Sequence, residues 1–189
     1  TEVILKRYLV AFFVFSTAVQ TIMLIAAFYG EEEITWGNDE ERTIGLIISI
    51  LVIQIVAIFG SLISAKSSRV FGNIYTLICL NVIWIFLCVY AYFLKTPVDF
   101  YIAAGLVGLV MGGIQTLARS TYSKFLPNTT DTASFFSFYD VAEKIGLVIG
   151  TFLFGYISQI TGSMRNATIL MGLLFLIGAL LLGRIKKSV

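Results

Sequence analysis

"FFSFYDVAEKIGLVIGTFLFGYIS", residues 135–158, is apolar enough to lie in oil, yet it holds Asp140, Glu143 and Lys144. Its apolar residues run on without the strict alternation of a membrane β-strand. A helix is therefore predicted, because lipid offers no partner to unpaired backbone groups. At 100° per residue, Asp140, Lys144, Leu147, Thr151, Gly155 and Ser158 fall on one face, and Ala142, Gly146, Gly150 and Leu153 on roughly the other. One stripe is polar and the other is small. A charge facing lipid at mid-depth costs on the order of 3 kcal/mol, so the polar stripe is expected to face protein or water. Asp140 and Lys144 stand at i and i+4, the spacing at which opposite charges pair along a helix.

The rest of the chain is built the same way. Hydrophobic residues make up 58% of the 189 and charged residues 13%, with a mean hydropathy of +0.94. A soluble domain carries about 25% charged residues. Six stretches approach the roughly 20 apolar residues that cross a bilayer: about 8–29, 43–65, 74–94, 98–118, 134–159 and 167–184. The expected fold class is an all-α membrane protein of six transmembrane helices forming one transmembrane domain over 1–189.

Six spans put both ends on one side, and charge says which. Lys6, Arg7, Lys66, Arg69, Arg119, Lys124, Arg184, Lys186 and Lys187 fall on the terminal side. Only Arg42, Lys95 and Arg165 fall opposite, together with the acidic loop "EEEITWGNDEER". The excess of Lys and Arg predicts cytoplasmic termini. The net charge of +2 gives no reason to expect nucleic-acid binding.

Several chemistries drop out. The chain has no His, which removes His-based proton relays, Ser-His triads and the common zinc patterns. Cys79 and Cys88 lie too far apart along one helix to bond. No metal or other cofactor is expected, and no catalytic residue. The sequons at Asn128 and Asn166 carry little weight, the first in a cytoplasmic loop and the second close to the bilayer. Tyr8, Tyr29, Trp36, Tyr92, Tyr101 and Tyr122 sit near span ends, where interfacial aromatics anchor.

Two patterns bear on packing. "IFGSLIS" (58–64) and "LFGYISQ" (153–159) close the second and fifth spans, three apart and so in opposite orientation. This suggests the inverted three-plus-three repeat of many secondary transporters. Gly108 and Gly112, and likewise Ala142, Gly146 and Gly150, repeat at four-residue intervals, which lets helix backbones approach closely in lipid.

The run "GLVGLVMGGIQTLARSTYSKFLP", followed by "FFSFYDVAEKIGLVIGTFLFGYISQITGSMRN", resembles the C-terminal half of a major facilitator superfamily transporter. Within that superfamily it resembles the family of fungal vacuolar amino-acid effluxers and related bacterial permeases. Gly112-Gly113, Gln115, Arg119-Ser120, Phe135-Phe136, Tyr139, Lys144, Phe154-Gly155 and Thr161-Gly162-Ser163 carry the likeness, with "VQTIMLIAAFYG" in the first span. Three departures stand out. Ser16-Thr17-Ala18 replaces an Asn-Asp pair of the relatives, "GSLISAKSSRVFGN" lacks the usual Asp of a Gly-rich loop, and Gly150-Thr151 replaces Gly-Pro.

The resemblance implies one half of a twelve-helix secondary transporter moving a small polar solute, with amino acids the first guess, by alternating access. The partners it implies are that solute, protons if transport is proton-driven, the N-terminal half of the same transporter and the lipid bilayer. The expected location is a bacterial cytoplasmic (inner) membrane. In such transporters the first and fourth spans of each half line the cavity, which makes Gln20, Thr17 and Gln115 the expected substrate contacts. With the first-span acid missing, gating or proton coupling moves to Asp140, Glu143, Lys144 and Arg119. Arg119 is expected to pair with Asp140 or Glu143 when the cytoplasmic side is closed. The alternatives weighed are a self-contained six-helix permease or channel acting as a homodimer, and a membrane-embedded enzyme.

Overall fold

The computed structural model describes residues 2–127 and 131–186. It contains α1 (Glu2–Glu33), α2 (Asp39–Phe71), α3 (Asn73–Phe93), α4 (Pro97–Phe125), α5 (Thr132–Thr161) and α6 (Met164–Lys186). All six are long and apolar enough to cross a membrane. The chain is a multi-pass membrane protein. The sequon at Asn128 and the basic Lys187 lie outside the described residues.

The helices run past the apolar stretches because polar residues cap and extend them. Asn38 accepts from the Glu41 amide, and Asp39, Glu40 and Glu41 follow it in the first turn of α2, where negative charge suits the helix dipole. Thr96 and Asp99 form a reciprocal capping box around Pro97 at the start of α4. Asp131 caps α5, and Gly162, at φ 69°, ends it in the left-handed conformation that glycine tolerates. The second span continues to Phe71, through Lys66 and Arg69. Most of "GSLISAKSSRVFGN" is thus helix rather than loop, and the chain turns only at Gly72, φ 87°.

The pairing of helices carries the repeat. Exchanging α1–α3 with α4–α6 turns the α2–α4 contact into α5–α1, α3–α4 into α6–α1 and α2–α3 into α5–α6, while α3–α6 and α1–α4 map onto themselves. Each of these pairs is in contact, and the slight α1–α2 contact maps onto α4–α5, which meet through Arg119–Asp140 and Tyr122–Tyr139. The local likeness of "IFGSLIS" to "LFGYISQ" is not part of that symmetry. Gly60 lies mid-helix and is buried against the Leu109 carbonyl, whereas Gly155 faces open space.

Trp84 of α3 stacks on Phe175 of α6 at 5.0 Å, both buried at the centre of the bundle. Asn81, also fully buried, donates to the Leu77 carbonyl one turn back. The outside is apolar as a lipid-facing surface requires, most plainly on α2, where Ile55, Ile58, Phe59 and Leu62 are exposed. Three of the expected interfacial tyrosines face inward instead. Tyr8, Tyr29 and Tyr122 are buried, and each hydroxyl donates to a backbone carbonyl of another helix: Ala118, Ala91 and Phe135 respectively. A buried phenol needs such a partner.

Candidate functional site

A cavity of about 160 Å³ opens between α1, α4 and α5. Its polar lining is Ser16 and Gln20 from α1, Gln115 and Arg119 from α4, and Tyr139 and Glu143 from α5, over walls that include Phe12, Phe15 and Ile114. The small stripe of α5 makes this meeting possible. Gly146 and Gly150 are buried against α1, where a Cβ on Gly146 would lie 2.6 Å from Thr17 Oγ1 and one on Gly150 2.8 Å from Thr17 Cγ2. With the two backbones that close, Tyr139 and Glu143, on the same face one and two turns nearer the start of α5, reach the cavity.

Gln20 and Gln115 both line the cavity. Thr17 does not. It is buried in the α1–α5 seam, and its hydroxyl donates to the Phe13 carbonyl of its own helix at 2.7 Å. Ser16, one residue and 100° away, takes the cavity position.

The charges assort across helices rather than along α5. Arg119 Nη2 lies 2.5 Å from Asp140 Oδ1, an ion pair between α4 and α5. The Arg119 guanidinium also sits over the Tyr139 ring, 5.5 Å from its centroid. Gln20 Nε2 donates to Glu143 Oε1, joining α1 to α5. The expected Asp140–Lys144 pair is not formed. Asp140 is turned to the guanidinium arriving from α4, and Lys144, one turn on, is exposed with no ion pair among the described residues. Arg119 and Asp140 are each half-exposed in this six-helix unit, so the pair contributes at most about 1 kcal/mol while water reaches it. Covering that face lowers the local dielectric, which raises both the attraction within the pair and the cost of desolvating it.

Aromatic rings floor the cavity on the side of the Arg119 pair. Tyr139 stacks on Phe12 at 4.0 Å and leans on Tyr122 at 4.9 Å, while Tyr8 packs edge-on against Phe125 at 5.5 Å. The Tyr8 and Tyr122 hydroxyl bonds already described tie this floor to α4 and to the start of α5. No low-complexity or spacing signal marked this cluster; only the buried hydroxyls identify it.

The opposite end of the bundle carries a second ion pair that sequence reading missed. Arg165 Nε lies 2.7 Å from Glu33 Oε2, and Arg165 also donates to the Glu33 and Tyr92 carbonyls. Glu33 accepts in turn from the Met164 amide and the Ser163 hydroxyl. The ends of α1, α3 and α6 are drawn together at one point. Both side chains are largely buried, at 20% and 17% exposure, so removing one partner alone costs more here than at the exposed pair. Nearby, Trp36 donates to the Gly30 carbonyl and packs edge-on against Phe100 and Tyr101. One end of the bundle is thus pinned by Glu33 and Arg165, and the other by the aromatic floor and Arg119.

Residues 4–188 match the family described as Vacuole effluxer Atg22 like. An "Uncharacterized MFS-type transporter YxiO" of Bacillus subtilis (strain 168) is 34% identical over 181 residues, covering 96% of this chain and 41% of that protein. "Autophagy-related protein 22-1" of Phaeosphaeria nodorum is 37% identical over 89 residues, 47% of this chain and 16% of its own. "Autophagy-related protein 22" of Eremothecium gossypii is 26% identical over 169 residues, covering 84% and 32%. The chain spans less than half the length of these curated relatives. No solved structure matches it.

Proposed function

Since the chain belongs to the Vacuole effluxer Atg22 like family, we propose that it serves as the C-terminal six-helix half of a secondary transporter. The cargo is a small polar solute, amino acids first among them, carried by alternating access. The observation that supports this most directly is the cavity between α1, α4 and α5, whose amides, hydroxyls and charges gather in an otherwise apolar bundle. Half of a transporter exposes one wall of the path, and the Gln115, Arg119 and Asp140 face is exposed in this unit. The relatives' names describe transporters and an effluxer.

Gln20 and Gln115 are the substrate contacts in this reading, and Glu143 is the proton-carrying group if a proton gradient drives the cycle. The test is uptake by the reconstituted full-length protein. Gln20→Ala and Gln115→Ala are expected to raise the KM for the transported solute about five- to thirtyfold, because each removes a hydrogen bond worth about 1–2 kcal/mol at the site. An unchanged KM in both would remove these residues from the substrate site.

The split of basic residues supports both termini in the cytoplasm, and the likeness to the Bacillus subtilis protein supports a bacterial cytoplasmic membrane. Single cysteines placed within 31–42 are expected to react with an impermeant thiol reagent added outside intact cells. Cysteines at 120–127 are expected to react only after the membrane is breached. Reversed labelling would invert the whole topology.

A further inference from the structure

Lys144 stands 12 residues after Thr132 in α5, about 18 Å along the axis at 1.5 Å per residue. The ammonium is exposed on the six-helix unit and has no ion-pair partner among the described residues. The two acids of its own helix are engaged elsewhere: Asp140 with Arg119 of α4, Glu143 with Gln20 of α1. Lys144 is not among the residues lining the polar cavity, so a solute held there does not reach it. One flank of it is apolar, with Val141, Ile145 and Val148 exposed on α5, and on the other Asp140 is turned to Arg119. The helix packs on α1 through Gly146 and Gly150, on roughly the opposite side.

A cation at this depth is costly unless it is paired or hydrated, and the nearest acid on its face, Asp140, is already committed to Arg119. From this, and resting on the reading of the chain as half of a transporter, we propose that the α5 face around Lys144 is an interface with the other half. A helix of that half lies on Val141, Ile145 and Val148 and presents an Asp or Glu carboxylate to the ammonium. A second copy of this chain fits less well. A two-fold dimer through this face would place two lysines in one interface while the face's own acid is already held by Arg119.

The test uses the full-length protein, with thermal midpoint in detergent and uptake after reconstitution as separate readouts. Lys144→Met is expected to lower uptake at least tenfold and to lower the midpoint, because it leaves the partner carboxylate unpaired; Lys144→Arg is expected to keep both. On a Lys144→Glu background, each membrane-embedded Asp or Glu outside residues 1–189 is then changed to Lys in turn. One such exchange is expected to restore the midpoint, and cysteines at that position and at 144 are expected to cross-link within a single chain. Four results would overturn the pairing: a Lys144→Met protein identical to wild type, a raised KM at an unchanged midpoint, no restoring exchange, or cross-links only between two copies. If wild-type protein moves no small polar solute, the proposed function fails on uptake alone, while a restoring exchange of midpoint still supports the pairing.

Discussion

Gly60→Val and Gly112→Val are each expected to leave little or no folded protein after detergent extraction. A Cβ at Gly60 would overlap the Leu109 carbonyl, one at Gly112 the Ala57 carbonyl, and one at Gly108 would lie 2.6 Å from the Ile53 carbonyl. All three obstacles are backbone, which cannot rotate aside as a side chain can. The α2 and α4 helices touch main chain to main chain along this seam, in the manner small residues permit in membranes. Forcing one methyl into a packed contact costs about 1–3 kcal/mol, and Val adds two further carbons to it. A total stability of about 5–15 kcal/mol leaves little margin for such a change.

Gly183→Ala is the matched control. No atom outside its own helix turn lies within 4 Å of a Cβ there, so removing a flexible residue from a helix gains about 0.5–1 kcal/mol. Size-exclusion profiles and thermal midpoints of the three variants check the contrast. A Gly60→Val protein with a wild-type midpoint would mean that α2 and α4 are not packed this way.

The six spans were legible because each is apolar without interruption, a pattern that only helices satisfy in lipid. The glycine intervals at 108–112 and 146–150 were legible as close approaches too. Which helix approaches was not, since an absent side chain says how near a neighbour comes and not which neighbour it is. That Arg119 could meet Asp140 or Glu143 followed from depth, all three lying toward the same end of consecutive spans, but which acid it takes did not. The competing Asp140–Lys144 pair is allowed by local spacing alone. It is not formed because the packing of α4 beside α5 brings a guanidinium to Asp140, and which helix lies beside which is not written in i, i+4 intervals.

Thr17 and Ser16 show the same limit on a smaller scale. Both are small, polar and adjacent, and a rotation of 100° decides which faces α5 and which faces the cavity. Glu33 and Arg165 were hidden for a different reason. They are 132 residues apart at the ends of α1 and α6, and charges at helix ends read as solvated loop residues until the chain is folded.

Glu143→Gln is expected to give the largest functional effect of any single substitution in the cavity. Among the described residues, Glu143 is the carboxylate that lines the cavity without an ion pair, held instead by the amide of Gln20. Arg119, the cation on the same wall, is already committed to Asp140. Gln keeps the shape and the hydrogen-bonding reach of the side chain but can neither take up nor release a proton at working pH. Solute exchange down its own gradient is therefore expected to persist while accumulation driven by a proton gradient falls at least tenfold, equivalent to about 1.4 kcal/mol.

The deciding measurement is uptake by reconstituted full-length protein with and without an imposed pH gradient, for wild type and Glu143→Gln. Wild type stimulated by the gradient, and Glu143→Gln equally active with or without it, is the predicted result. Gradient-driven accumulation by Glu143→Gln at the wild-type level would contradict a transport path through the α1, α4 and α5 cavity that depends on this carboxylate.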